Sequence, residues 1–151
     1  MSIEATLAQK GITLPAAPAP AANYVPFVQT GNLIFVSGQI SQDEGGLIKG
    51  RLGDGMSVDE GAAAARRCGL SLIAQLKAAV GDLDRVRRVV KLTGFVNSTP
   101  DFTDQPKVIN GCSDLMVEVF GEAGRHSRAA VSAPSLPFGV AVEIEAVFEV
   151  R

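Results

Sequence analysis

Residues 140–151 alternate between a wholly apolar set and a mostly polar one. Val140, Val142, Ile144, Ala146, Phe148 and Val150 form the first; Ala141, Glu143, Glu145, Val147, Glu149 and Arg151 form the second. A period of two places the sets on opposite faces of a strand, one facing a core and one carrying carboxylates. Residues 57–81 follow a different period. Ser57-Val58-Asp59-Glu60 is a capping box, and apolar residues at 65, 68, 72, 76, 79 and 80 make one stripe at helical spacing. Arg66, Arg67 and Gln75 fall off that stripe, and Gly81 stands where a C′ glycine closes a helix. This predicts a helix of about 23 residues.

The same reading places the other elements. Residues 2–11 are a short helix capped by Ser2, followed by a Pro/Ala-rich extended arm that covers a surface. Tyr24–Thr30 and Asn32–Ile40 are strands around Gly31, and the glycine-rich stretch 41–56 is a hairpin or irregular loop. Arg85–Asn97 is a strand whose Gly94 marks a bulge or a close backbone approach. A second helix runs over Asp104–Phe120, with Val108, Cys112, Leu115, Met116 and Val119 on one stripe. Ser127–Ser132 is a short strand, and Pro134–Gly139 is a turn-rich connection. The order predicts an α+β fold of one domain over residues 1–151, with 1–23 as helix and arm: a single mixed sheet with two helices packed on one face. Two helices cover only one face. On the strand from Arg85, Val90, Leu92 and Val96 share one face, and Val89, Thr93 and Phe95 share the other. That second face is too apolar for water and predicts burial by another copy of the chain.

Composition narrows the function classes. The 151 residues are 46% hydrophobic and 20% charged, as a globular domain requires. A net charge of −2 and 5% aromatics argue against a nucleic-acid surface, which needs a basic surplus and stacking rings. Cys68 and Cys112 lack CxxC partners and His126 is the single histidine, so no metal site of the Cys/His kind is expected. Both cysteines read as buried, reduced thiols. The first residues lack a signal-peptide pattern and no run is apolar enough to span a bilayer, which predicts a cytoplasmic protein away from membranes.

Candidate chemistry is sparse. The glycines at 45, 46, 50, 53 and 55 lack the Gly-Lys-Ser/Thr ending of a phosphate loop and read as loop. His126, between Arg125 and Arg128 and without a GxSxG elbow, reads as an exposed or structural histidine rather than a catalytic base. Glu143 and Glu145 share a strand face about 7 Å apart, and by themselves read as a solvated face. If the last two strands pair, Arg125 and Arg128 lie near Glu143. Spacing alone leaves open whether that is an anion-binding fork or an intersubunit salt bridge.

Four stretches remove the anonymity: Gly31-Asn32-Leu33-Ile34-Phe35-Val36-Ser37-Gly38-Gln39-Ile40, Val90-Lys91-Leu92-Thr93-Gly94-Phe95-Val96, Ser127-Arg128-Ala129, and Leu136-Pro137 leading into Val142-Glu143-Ile144-Glu145-Ala146. In order and spacing the chain resembles the RidA/YjgF/UK114 (L-PSP) family over about residues 24–150. The resemblance implies a chorismate-mutase-like fold packed as a homotrimer, sheets inside and helices outside, with clefts between subunits. It implies hydrolysis of reactive 2-enamino and 2-imino acids, such as 2-aminoacrylate, to 2-keto acids and ammonia, without metal or organic cofactor. The alternative is a non-catalytic trimer that holds a small carboxylate in the same cleft. By resemblance Arg128 clamps the substrate carboxylate and Glu143 positions water, Tyr24, Ser37 and Gly38 line the cleft, and Asn110 corresponds to a helix asparagine. The chain departs from the family at Ala130, where a cysteine is common, at Arg125 and His126, at Phe138-Gly139 and in its N-terminal arm, which is placed to cover or narrow a cleft. Ribonuclease activity, attributed to some members, is not expected from an acidic chain with few aromatics.

Overall fold

The structure is a computed structural model describing residues 1–151. Helix α1 (Ile3–Gln9) begins at Ser2, whose hydroxyl accepts from Ala5 N, and an extended arm leads to β1 (Phe27–Thr30). There follow β2 (Leu33–Ile40), a small hairpin of β3 (Gln42–Asp43) and β4 (Gly46–Leu47), α2 (Val58–Val80), β5 (Val86–Asn97), α3 (Gln105–Phe120), β6 (Ser127–Ala133) and β7 (Val142–Val150). The capping box closes at both ends: Glu60 N donates to Ser57 Oγ and Ser57 N to Glu60 Oε1. These hydrogen bonds hold the Glu60 carboxyl below the ordinary glutamate range. Gly81 ends α2 at φ 78°, a left-handed conformation that glycine adopts without strain.

Five strands form one sheet in the order β1-β2-β7-β5-β6. All neighbours are antiparallel except β5 and β6, which run parallel and are joined through α3. The strand with the cleanest alternation, β7, is central. Ile144, Ala146, Phe148 and Val150 are buried beneath the helices with Ile34, Leu92 and Val96 of the neighbouring strands. Leu72 and Leu76 of α2 and Val108, Leu115 and Met116 of α3 close this core from above. The opposite face carries Phe35 and Val131, each 43% exposed. No helix is long and apolar enough to cross a membrane.

Several positions differ from the periodic reading. Val89 is in the core and Val90 lies toward the open face, the reverse of strict alternation. The ladder shifts register between Val89 and Lys91, so Val90 is an extra residue and the parity of β5 changes there. The shifts do not fall at Gly94, whose missing Cβ instead admits the Ile109 side chain. Gln75 is buried at 2% exposure although it lies off the apolar stripe, because the N-terminal arm covers that side of α2. Ala141 is buried just before β7 becomes regular, and the first strand starts at Phe27 rather than Tyr24. Most consequentially, β6 and β7 do not pair; β5 lies between them.

The long helices cross where side chains are smallest. A Cβ on Gly111 would meet the Ala62 carbonyl oxygen, and one on Gly69 would crowd Cys112 and Leu115. Both cysteines are free and fully buried there. Burial pushes the Cys68 thiol well above its ordinary value and Cys112 up to about 12. Neither thiol is therefore expected to react with an aqueous thiol reagent until the chain unfolds. Replacing both with Ala is expected to cost about 1–2 kcal/mol each, read as lowered melting temperature, with the chemistry of the site intact.

Candidate active site

A cavity of about 700 Å³ opens on the sheet beside the N-terminal arm. Residues 18–22 of the arm and Tyr24 line it together with Ser37, Gly38, Gln39, Glu143 and Glu145. The arm is held down by Gln75 of α2, whose Nε2 donates to the Pro18 carbonyl at 2.6 Å. Tyr24 Oη accepts from Ala21 N at 3.4 Å, folding the arm's end over the opening. The arm thus forms one wall of this opening.

The strand register explains why these residues converge. Between Val36 and Gln39 the β2–β7 ladder shifts, giving β2 one extra residue. This bulge turns Ser37 and Gly38 toward the cavity. A Cβ on Gly38 would run into the Glu143 carboxylate, so only glycine lets that side chain lie against the strand. Burial, and secondarily the like charge of Glu145, raises the Glu143 pKa above the ordinary glutamate value. The lining contains two carboxylates and no Lys, Arg or His. No cluster of three or more His, Cys, Asp or Glu side chains is placed to hold a metal ion.

Arg128 is elsewhere. It pairs with Leu92 across the parallel ladder and faces the helices, whereas Glu143 pairs with Phe95 and faces the cavity. Two strand spacings and a three-residue offset separate them by about 10 Å in each direction, on opposite faces of the sheet. The proximity expected from pairing of the last strands therefore does not exist within one chain. Arg128 Nη1 donates to Ser113 Oγ at 3.0 Å and Nη2 to the Pro106 carbonyl at 3.1 Å. Asn110 is exposed between those contacts on the same side of α3, at the i+4 position from Pro106. Arg125 is not near Glu143 either; its Nε meets Glu122 Oε1 at 3.2 Å on the surface. His126 bridges Gly124 O and Ser113 Oγ, a structural placement.

The six site residues thus fall into two groups. Tyr24, Ser37, Gly38 and Glu143 line the cavity, and Arg128 and Asn110 lie by α3. Three residues take places that the sequence did not assign them. Gln75 was visible only as a residue off the apolar stripe, and no spacing linked Ser113 to Arg128. Phe138 sits at the cavity rim, 59% exposed, with φ 60° and ψ 11°. Left-handed backbone is unfavourable for a bulky side chain, and the neighbouring Gly139 gives no such hint for Phe138.

Residues 4–148 match the family model described as "YjgF/chorismate_mutase-like, putative endoribonuclease". Protein TCP17 of Trypanosoma cruzi is 55% identical over 151 residues, spanning 99% of this chain and 94% of that protein. The RutC family protein PH0854 of Pyrococcus horikoshii is 30% identical over 133 residues, 87% of this chain and 90% of its own. Among solved structures, the protein Atu1372 of Agrobacterium tumefaciens superposes with a TM-score of 0.91 at 48% identity, covering 99% of this chain and 92% of its own. RidA from an Antarctic Psychrobacter gives 0.63 at 28% identity, covering 89% and 94% respectively.

The raised Glu143 pKa has a stability consequence. A carboxyl whose folded pKa exceeds its unfolded one destabilises the fold when ionised. That cost is complete above the folded pKa and absent below the unfolded one. Glu143→Gln is therefore expected to raise the melting temperature at pH 7. The gain should shrink on acidification and vanish below about pH 4. A gain independent of pH would show that burial does not perturb this carboxyl.

Proposed function

Because the chain belongs to the YjgF/chorismate mutase-like family, we propose that it hydrolyses reactive 2-imino and 2-enamino acids to 2-keto acids and ammonia, in clefts between the subunits of a homotrimer. The carrying observation is the separation of Arg128 from Glu143. Each sits in its own polar setting, on opposite faces of one sheet, and neither group suffices alone. The cavity has the carboxylate to handle a water but no cation for a substrate carboxylate. Arg128 and Asn110, where the β6 edge meets α3, supply the missing half to the cavity of a neighbouring copy when copies pack through their open sheet faces and these edges come together. The apolar groups on that face, Phe35 and Val131 among them, favour such packing. A cavity whose charged side chains are both carboxylates also disfavours a polyanion such as RNA.

The chemistry follows from the groups. A guanidinium fork binds the substrate carboxylate and fixes the neighbouring C=N carbon. An enamine enters as its imine tautomer. Glu143 takes a proton from water as the oxygen adds to that carbon and passes it to the imine nitrogen, forming a carbinolamine. Glu143 then takes the hydroxyl proton and delivers it to the amino nitrogen as the C–N bond breaks and the C=O bond forms, releasing ammonia. The products are a 2-keto acid and ammonia, so one water is consumed per imine. A raised carboxyl pKa brings Glu143 closer to the pH at which it both accepts and returns a proton efficiently. Because imines hydrolyse readily, positioning supplies much of the needed acceleration.

Subunit mixing tests the shared site. Arg128→Ala and Glu143→Gln are each expected to lose at least about a hundredfold in turnover of imines generated in place by an amino-acid oxidase. Co-refolded in equal amounts, they should recover about one quarter of wild-type activity, since that fraction of clefts receives both intact residues. Light scattering should give a mass near three chains. A mixture as inactive as its parts would overturn the shared cleft. Binding of pyruvate by the wild type without turnover of any imine would make the protein a carboxylate binder instead.

A further inference from the structure

Arg128 is held by a chain of hydrogen bonds whose direction is fixed by a single carbonyl. His126 Nδ1 lies 2.6 Å from the Gly124 carbonyl oxygen, which only accepts, so Nδ1 carries the proton. When the ring is neutral it has one N–H, and Nε2 then carries a lone pair. Nε2 is 2.8 Å from Ser113 Oγ, so the serine donates its hydroxyl proton to the ring. The lone pairs of Ser113 Oγ are then free to accept, and Arg128 Nη1 donates to one at 3.0 Å. The second guanidinium nitrogen is fixed independently by the Pro106 carbonyl at 3.1 Å.

We propose that Ser113, oriented by His126, is a positioning residue that aims the Arg128 guanidinium at the substrate carboxylate. This rests on the role given to Arg128 above. Two anchored η nitrogens fix the guanidinium plane, while three of its five N–H groups remain for a ligand. An arginine left free would have to give up its rotamer freedom on binding; one already held gives up less. Without His126, the serine hydroxyl rotates and offers Arg128 a proton in some rotamers and a lone pair in others. The Gly124–His126 contact therefore selects which face Ser113 turns to the guanidinium. Ser113 is reached from α3, His126 from the chain entering β6, and Arg128 from β6 itself, so the three meet only in the folded chain.

The test joins kinetics to a spectroscopic measurement independent of turnover. Ser113→Ala is expected to raise KM for an imino acid, and Kd for pyruvate, about tenfold to a hundredfold. Its kcat should stay within about threefold, its mass and melting temperature should be retained, and Ser113→Thr should restore KM. In an Arg128→Ala background the serine change should add nothing, because its effect passes through Arg128. Nitrogen NMR of the wild type should report the Nδ1–H tautomer for His126 and slow rotation of the Arg128 guanidinium, which Ser113→Ala should accelerate. An unchanged KM, an effect that persists without Arg128, or failure of Thr to rescue would overturn the proposal. So would an Nε2–H tautomer or a guanidinium already rotating freely. If the wild type turns over no imine and binds no pyruvate, the proposed function fails. The hydrogen-bond chain is then judged by the NMR result alone.

Discussion

A sheet has two faces, and this chain spends both of its long helices on one of them. The connection from β5 to the parallel β6 runs through α3, and α2 packs beside it on the same side. The hydrophobic drive that orders β7 and its neighbours is satisfied entirely beneath those helices. What remains on the other face is a surface with aromatic and β-branched side chains, interrupted by the carboxylates of β7. The N-terminal arm, tied to α2 by the buried Gln75 amide, lines a cavity together with these carboxylates. The two groups of polar residues described above are consequences of this one-sided packing. One group occupies the uncovered face, and the other occupies the seam where α3 meets the edge strand.

Register shifts do the fine placement. An antiparallel ladder without interruption would keep Ser37 and Gly38 on alternate faces and would set Val90 in the core. One extra residue in β2 bends that strand where it passes Glu143, and the absence of a side chain at Gly38 leaves room for the carboxylate. The proximity of Glu145 on the same face then compounds the desolvation of Glu143. The site's electrostatics thus follow from backbone geometry: a bulge sets the distance, the distance sets the burial, and burial perturbs the carboxyl. On the other side of the sheet, close approach at Gly111 brings α3 toward α2, and Arg128 spans from β6 to the first turns of that helix.

The sequence determined those elements in which each local preference agreed with the others. The capping box, apolar stripe and terminal glycine of α2 all point to one helix, and the alternation of β7 is long enough to exclude a competing period. As a set, the residues that would form a cleft were legible only through motif resemblance, because Tyr24, Ser37, Arg128 and Glu143 are dispersed over more than a hundred positions. Local pattern carries no information on which strands become neighbours, and the pairing of β7 with β5 instead of β6 was decided by how the crossover through α3 returns to the sheet. It was likewise tertiary packing that buried Gln75 beneath the arm, exchanged the roles of Val89 and Val90 through a bulge, and brought Ser113 to Arg128. Periodicity records which side of an element is apolar, since that is a property of adjacent residues. Which partner covers that side is settled by the balance of contacts over the whole chain, and no short stretch of sequence contains that balance.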